Sequence, residues 1–168
     1  MLLYRVDMLE VVDSRGEKIG IKIARADMGS LKKGEFVQAV HIWIRDKNGK
    51  FLIQKTSPEK GSIFAVTGGM IECGQSHIET AVREIKEELG ITVQEDDMTY
   101  LGNVTHGDYI LLHVYLVNNI FDKKFVLQES EVESLHWMSI EELEERNVTG
   151  SLRASTYTSL NVVGESLS

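Results

Sequence analysis

The sequence predicts a mixed α/β (α+β) fold in which helices pack on a sheet of mixed or antiparallel strands. Two runs rich in β-branched and aromatic residues, 36–45 and 50–55, flank the turn sequence Asp46-Lys47-Asn48-Gly49 and predict a hairpin. The segment 76–89 carries apolar residues at spacings of three and four, which predicts an amphipathic helix. Further short extended runs are separated by turn residues, so several strands are expected to have short connections.

The other predicted strands follow one another along the chain. The first, from Leu2 to Val12, ends at the turn Asp13-Ser14-Arg15-Gly16, and a later short strand runs into Gly68-Gly69. Together with the hairpin, the predicted strands cover 2–12, 19–26, 36–45, 50–55, 63–66, 100–104, 109–117 and 132–138.

Three helices are predicted, and the first has the clearest boundaries. Ser76 stands at the N-cap with Glu79 three residues later, which is the pattern of a capping box, and Gly90 stands at the C′ position. A second capping box at 139–142 predicts a short helix that ends near Arg146. The final predicted helix covers 152–163.

Length and composition predict one domain spanning 1–168. A chain of 168 residues can bury a full core, and 42% hydrophobic with 26% charged residues is ordinary for a soluble globular protein. The single cysteine, Cys73, allows no intrachain disulfide, which favours a reducing cytoplasm. The amino terminus lacks the pattern of a signal peptide, and no run approaches the roughly 20 apolar residues that cross a bilayer. We therefore expect a cytoplasmic protein without a membrane partner.

The net charge of −8 argues against binding to a nucleic acid polymer. Such binding depends on Lys and Arg side chains that neutralise backbone phosphates. A small anionic substrate remains compatible with an acidic chain, because carboxylates bind divalent cations and these bind phosphate oxygens.

Acidic residues are concentrated on the predicted helix 76–89. Glu84 and Glu88 are four residues apart and lie on one face, which Glu87 flanks. Like charges at this spacing repel, and the helix dipole disfavours them near the C-terminal end. A hard divalent cation such as Mg²⁺ or Mn²⁺ would remove both penalties. The alternative is a solvated face on which Arg83 pairs with Glu79 or Glu87.

The glycines before the helix favour the metal hypothesis. Gly68-Gly69 permits a close approach of the backbone to a ligand, and Gly74 gives similar freedom just before the helix. A strand, a glycine loop and a helix with stacked carboxylates together form a coherent platform for a metal and a phosphate.

These residues resemble the Nudix box, G-x5-E-x7-R-E-U-x-E-E-x-G-U, where U is aliphatic. The match covers Gly69 through Ile91 and includes Arg83-Glu84-Ile85 and Glu87-Glu88. Gln75 stands where the family has glutamate, and every other fixed position agrees. Outside the box, 52–55 and 131–143 also look like landmarks of this family, so the resemblance covers roughly 36–146.

The resemblance implies a Nudix-type α/β/α sandwich with a mixed central sheet, and a Mg²⁺- or Mn²⁺-dependent hydrolase. Such an enzyme would cleave the diphosphate linkage of a nucleoside diphosphate joined to another group, or of a nucleoside di- or triphosphate. By analogy it also implies a homodimer. The amino-terminal part, 11–20 and 34–36, is similar to the branch that includes isopentenyl-diphosphate isomerase.

The resemblance also implies roles for individual residues. The metal ligands would be Glu84, Glu87 and Glu88, with a contribution from the backbone of Gly69 or Gly68. Arg83 would orient the box glutamates, and Glu87 would serve both the metal and catalysis. The candidate general base is Glu131, with Glu129 and Glu133 as rivals. The candidate substrate contacts are Lys55, Lys60 and Gly68.

Two alternatives follow from departures from the family pattern. Glutamine at position 75 keeps the shape of glutamate without its charge, so a catalytically weak or silent nucleotide-binding module is the second hypothesis. An isomerase is the third. It is disfavoured because 64–67 runs directly into Gly68 without the catalytic cysteine of that branch, and Cys73 is expected to be a packing residue.

Overall fold

The computed structural model describes residues 7–118, 120 and 123–168. It contains nine strands and three α-helices among these residues. The strands are β1 (Met8–Val12), β2 (Lys18–Ala24), β3 (Val37–Arg45), β4 (Phe51–Thr56), β5 (Phe64–Ala65), β6 (Thr67–Met70), β7 (Met98–His106), β8 (Ile110–Asn118) and β9 (Val132–Met138). The helices are α1 (His77–Leu89), α2 (Ile140–Val148) and α3 (Ala154–Leu167).

The central sheet is mixed, as predicted. Strand β3 pairs in parallel with β8 and antiparallel with β6, and β8 continues antiparallel to β7. The separate antiparallel pair β1–β2 confirms the predicted amino-terminal turn. Residues 2–6 of the predicted first strand lie outside the described residues.

The predicted hairpin is confirmed in its strands, its turn and its antiparallel sense, but the pairing of the two strands is confined to the turn. The Asp46 side chain accepts hydrogen bonds from the backbone of Asn48 and Lys50, at 2.8 and 2.9 Å, which closes the turn. Only Arg45 and Phe51 are then paired between β3 and β4. The two strands diverge because β6 occupies the edge of β3, while β4 pairs with β5 and β9.

Helices cover both faces of the sheet, which confirms the α/β/α arrangement. Side chains of β3 alternate between the two faces, as the period of a strand requires. Val40 and Ile42 pack with Ile85 of α1 on one face. Trp43 packs in the cluster on the other face, which also contains Leu160 of α3. The sheet therefore holds α1 and α3 in fixed positions on opposite sides.

No α-helix within the described ranges is long and apolar enough to cross a membrane.

Candidate active site

Helix α1 begins and ends where the sequence predicts, and this fixes its acidic face. The Ser76 hydroxyl accepts from the Glu79 amide at 3.2 Å, and the Glu79 carboxylate accepts from the Ser76 amide at 3.0 Å. Gly90 ends the helix in the left-handed conformation, with a φ of 71°. Ile85 and Leu89 are fully buried against the sheet, which fixes the rotation of α1 and therefore the direction of its acidic side chains.

Glu84 and Glu88 form a buried carboxyl pair, and this pair is the centre of the site. Their side chains are in hydrogen-bonding contact. Burial raises the pKa of Glu84 to about 7, although nearby Arg83 acts in the opposite direction. Burial also raises the pKa of Glu88 to about 8, against a hydrogen bond from Gln54. Without a cation, a proton is therefore the species that neutralises this pair near neutral pH.

Gln54 of β4 positions Glu88. Its side-chain nitrogen donates to Glu88 Oε2 at 2.5 Å and to the Thr67 hydroxyl at 2.8 Å. All three side chains come from different elements: the central strand β4, the strand β6 and the helix α1. The carboxyl pair is thus held from the sheet side as well as from its own helix.

The two glycines of β6 allow this close packing. A Cβ atom at Gly69 would overlap the Glu84 carboxylate, and a Cβ atom at Gly68 would overlap the Val40 carbonyl oxygen. Neither glycine has a positive φ, so both are required for space and not for backbone conformation. The predicted close approach at Gly68-Gly69 therefore corresponds to contact with the carboxyl pair and with β3.

Arg83 organises the other acidic side chain of the box. Its Nη1 lies 3.1 Å from Glu87 Oε2 and 3.3 Å from Glu84 Oε1. Its Nη2 donates to Gln75 Oε1 at 3.3 Å. Within the described ranges, Arg83 Nε is the only buried side-chain polar atom that lacks a partner. Of the two surface partners considered from the sequence, Glu87 is the one that pairs with Arg83, whereas Glu79 caps the helix.

Gln75 contacts Arg83 through an oxygen, as a glutamate there would. The same Oε1 accepts from the Thr80 hydroxyl at 3.3 Å. Gln75 is not among the residues that line the cleft above the carboxyl pair. The departure from the Nudix pattern therefore changes the charge beside Arg83 while its hydrogen bond is kept.

The segment that precedes β9 docks on the C-terminal end of α1. The amides of Val126 and Gln128 donate to the carbonyls of Leu89 and Glu88, at 2.9 and 3.2 Å. Gly90 allows this contact, because a Cβ atom there would lie 2.7 Å from Val126. These bonds satisfy carbonyl groups that a helix end would otherwise leave free.

The same loop brings Glu131 to the site. Its carbonyl accepts from the Ser57 amide at 3.0 Å, and the Ser57 hydroxyl donates to the Ser130 carbonyl at 2.9 Å. The Glu131 carboxylate lies 3.5 Å from Lys60 Nζ. Its rival Glu133 instead pairs with Lys55 at 3.2 Å.

A continuous cleft runs over these residues. Its first part, of about 230 Å³, lies above the carboxyl pair, and its second part, of about 350 Å³, reaches Arg153 and His41. Both parts include Glu88 and Glu131. The residues that they share are Arg25, Lys60, Gly68, Gly69, Met70, Glu88 and Glu131.

Most of the residues predicted from the sequence meet in this cleft. It is lined by Arg83, Glu84, Glu87, Glu88, Glu131, Lys60, Gly68 and Gly69. Lys55 does not line either part of the cleft, because it faces Glu133. Cys73 also lies outside, with its thiol 3.8 Å from Glu10.

Sequence reasoning did not single out Arg25, Gln128 and Arg153, which also line the cleft, or Gln54, which holds Glu88. Arg25 begins a short 3-10 helix after β2, and Arg153 is the N-cap residue of α3. Neither has a motif around it, and only the fold brings them to the cleft. Arg153 falls inside the predicted last helix, 152–163, and no feature of the sequence marked it as a functional residue.

The donor set fits a hard divalent cation. Carboxylate oxygens are the ligands that Mg²⁺ and Mn²⁺ prefer, and two of them already converge in the Glu84–Glu88 pair. In the described part of the chain, no three acidic or histidine side chains are already gathered as a metal site. Glu87 contacts Arg83, whose Nη1 lies 3.1 Å from Glu87 Oε2 and 3.3 Å from Glu84 Oε1.

Comparison with known proteins identifies the class to which this sandwich and acidic cleft belong. The NUDIX domain model matches residues 35–157, and the chain therefore belongs to the NUDIX family. It is 32% identical over 152 residues to an uncharacterised Nudix hydrolase of Clostridium acetobutylicum, a match covering 82% of this chain and 72% of that protein.

Solved structures share the fold. A Deinococcus radiodurans crystal structure matches with a TM-score of 0.72 and 24% identity, covering 87% of this chain and 91% of that one. The NUDIX domain of Shewanella oneidensis NrtR, crystallised with ADP-ribose, matches with a TM-score of 0.62 and 13% identity, over 87% and 100%.

Family membership indicates a hydrolase of phosphorus-containing anhydrides that acts on small molecules. The more specific similarity to the isopentenyl-diphosphate isomerase branch stays a prediction, as does the homodimer.

Proposed function

We propose that this protein is a Mg²⁺- or Mn²⁺-dependent hydrolase that cleaves a diphosphate linkage, in a nucleoside diphosphate joined to another group or in a nucleoside di- or triphosphate. The observation that carries the proposal is the buried Glu84–Glu88 pair on the floor of a cleft that also presents Arg25 and Lys60. Carboxylates that bind a cation and cationic side chains that bind phosphate oxygens lie close together there.

Glu84, Glu88 and Glu87 are the proposed ligands of the cation, and the backbone of Gly69 lies against the same carboxylate. When bound, the cation supplies charge neutralisation for the diphosphate and acidity for water. Arg83 acts as a positioning residue, because its guanidinium holds Glu87 beside Glu84 and has no need to touch the substrate.

The cationic side chains bind the diphosphate in this proposal. Arg25 and Lys60 line the cleft beside the carboxyl pair, and Gly68 lines it next to them. Neutralising and orienting the phosphoryl group supplies most of the rate enhancement in such reactions. Lys55 is a weaker candidate for substrate contact, since it faces Glu133.

Glu131 is the proposed general base. It lines both parts of the cleft, and a hydrogen bond from the Ser57 amide to the Glu131 carbonyl holds its backbone in place. A Glu131 oxygen takes a proton from water as the water oxygen bonds to phosphorus. The bridging P–O bond breaks, and the leaving phosphate keeps that electron pair. The products are two phosphate species, and water is the only reactant consumed besides the substrate.

The test is a panel of diphosphates incubated with and without Mg²⁺ or Mn²⁺, with release of phosphate or nucleoside monophosphate as the readout. The panel contains nucleoside di- and triphosphates, ADP-ribose and nucleotide sugars. We expect metal-dependent turnover, a loss of at least about a hundredfold in Glu88→Gln, and a similar loss in Glu131→Gln. The control is Glu17→Gln, which changes an exposed acid on the β1–β2 turn.

Full activity in Glu88→Gln would refute the assignment of the metal ligands. Tight nucleotide binding without turnover under every metal condition would refute the enzyme hypothesis and favour the silent binding module that Gln75 suggested.

A further inference from the structure

Each carboxylate of the acidic pair has one oxygen beside a donor from elsewhere in the site. Gln54 Nε2 donates to Glu88 Oε2 at 2.5 Å, and Arg83 Nη1 lies 3.3 Å from Glu84 Oε1. When both groups are ionised, neither can donate to the other. The oxygens left for a cation are then Glu88 Oε1 and Glu84 Oε2.

Gln54 is a buried amide at a position where the core would accept an apolar side chain. It shares a face of β4 with Leu52, which packs in the same cluster as Ile85 of α1. Gln54 is 4% exposed, and a buried amide is costly unless its groups are hydrogen-bonded. One of its Nε2 hydrogens goes to Glu88 and the other to Thr67 at 2.8 Å. Contact with Glu88 is therefore what an amide provides here that an apolar residue would not.

The chemistry of metal binding fixes which atom of the amide faces Glu88. A carboxylate must be ionised to bind a divalent cation, and an ionised carboxylate only accepts hydrogen bonds. The carbonyl oxygen of Gln54 cannot donate, so Nε2 must face Glu88 in that state. The Thr67 hydroxyl accepts the second hydrogen, which restrains rotation of the amide. The arrangement seen in the structure is thus the one that metal binding requires.

An oxygen held in this way limits how Glu88 can coordinate. Ca²⁺ takes roughly six to eight oxygen ligands and often uses both oxygens of a carboxylate, whereas Mg²⁺ requires a smaller and more rigid octahedral set. Because Gln54 occupies Oε2, Glu88 offers one oxygen only. Arg83 restricts Glu84 in a similar way. A rigid pair with one free oxygen on each carboxylate favours the smaller cations.

We propose that Gln54 is a positioning residue that makes the metal site selective for Mg²⁺ and Mn²⁺ over Ca²⁺. It holds Glu88 Oε2 and so limits Glu88 to one coordinating oxygen. Without this hydrogen bond, the carboxylate turns and offers both oxygens, which suits Ca²⁺. The inference rests on the proposed function only in taking Glu84 and Glu88 as ligands, and Gln54 needs no contact with the substrate.

The test is a titration of the protein with Mn²⁺ in the absence of substrate, with free Mn²⁺ measured by electron paramagnetic resonance. The affinity for Ca²⁺ is obtained from its displacement of Mn²⁺. We expect the wild type to bind Mn²⁺ at least about tenfold more tightly than Ca²⁺. Gln54→Met keeps the length of the side chain and removes the donor. It should weaken Mn²⁺ binding about ten- to a hundredfold and change Ca²⁺ binding by less than about threefold.

Two further variants separate positioning from packing. Thr67→Val removes the acceptor of the second hydrogen but leaves the bond between Gln54 and Glu88. It should lower the thermal midpoint and keep the ratio of Mn²⁺ to Ca²⁺ affinity within about threefold. Gln38→Met is the matched control, because Gln38 is a strand amide that contacts His113 and lines neither part of the cleft. It should leave the ratio unchanged.

Equal losses for the two cations in Gln54→Met, or no loss, would overturn the inference. An equally large change of ratio in Thr67→Val would assign the effect to packing and overturn it as well. So would a wild type that binds Ca²⁺ as tightly as Mn²⁺ or binds neither, and this result does not depend on the folding of any variant. Hydrolysis of the diphosphate panel is measured separately. A shifted ratio without any hydrolysis would refute the proposed function alone, while hydrolysis with an unshifted ratio would refute the role of Gln54 alone.

Discussion

Glu88→Gln should stabilise the metal-free protein at alkaline pH, and this effect tests the carboxyl pair directly. The pKa of Glu84 is about 7 and that of Glu88 about 8, whereas a free glutamate side chain titrates near 4.5. The folded state therefore binds more protons than the unfolded state between these values. Stability that is present below pH 4.5 is lost as the pH rises to about 8.

The magnitude follows from the shifts. Each pKa unit corresponds to about 1.4 kcal/mol, so Glu84 alone would lose about 3 kcal/mol over this range and Glu88 alone about 5 kcal/mol. The two groups share a proton, and their contributions do not add. We expect a loss of about 3 kcal/mol in the wild type. In Glu88→Gln the amide oxygen still accepts from Gln54 and the amide nitrogen donates to Glu84, so most of this loss disappears.

The assay is urea unfolding in EDTA at pH 5, 6.5 and 8, with the difference between wild type and variant as the quantity of interest. Taking the difference cancels the contributions that the wild type and the variant share. Glu87→Gln is the matched control, because its carboxylate is exposed beside Arg83. Mg²⁺ should restore the wild type at pH 8 and have little effect on Glu88→Gln. A difference that does not change with pH would refute the reasoning.

Three further outcomes are expected. Gly69→Ala places a methyl group in the Glu84 carboxylate and should lower metal-dependent hydrolysis at least about a hundredfold, measured as kcat. Gln75→Glu adds a charge to an existing contact with Arg83, and should raise the free energy of unfolding by up to about 1 kcal/mol while kcat stays within about threefold. Burial lowers the pKa of His41 to about 3, so acid should destabilise the wild type relative to His41→Asn by about 3 kcal/mol between pH 6.5 and 4, measured by urea unfolding.

A specific result would contradict each of these three predictions. Gly29→Ala is the control, because a Cβ atom there meets no atom within 4 Å, and it should retain activity. An equal loss of activity in Gly29→Ala would show that the loss in Gly69→Ala does not come from contact with Glu84. A gain of more than about tenfold in Gln75→Glu would place the charge at position 75 in the metal chemistry. A wild type that gains stability over His41→Asn as the pH falls would mean that the imidazole is protonated inside the fold.

The carboxyl pair could be predicted because every relevant signal is local. The cap at Ser76, the glycine at Gly90 and the apolar spacing define α1, and a spacing of four residues then places Glu84 beside Glu88. Such contacts depend on helix geometry alone. The same reasoning predicted the turn at 46–49 from its Asp and Gly residues.

The rest of the cleft depends on contacts between distant parts of the chain. Gln54 reaches Glu88 only because β4 leaves β3 and pairs with β9, which the turn sequence does not specify. His41 enters the site because it pairs with Gly68 in the register of β3 and β6. Arg153 arrives with a helix that crosses the opposite face of the sheet. Register and packing set these positions, and a single sequence carries little information on either.

Because the 126–131 loop docks on α1, the backbone and the side chain of Glu88 have separate roles. The Glu88 carbonyl receives the Gln128 amide, while the Glu88 carboxyl belongs to the acidic pair. Replacing the side chain therefore leaves the backbone anchor of Glu131 in place. Variants at position 88 therefore test the role of the side chain in catalysis while the neighbouring loop keeps its position. Hydrogen exchange of the Gln128 amide measures independently whether the loop remains bound to α1.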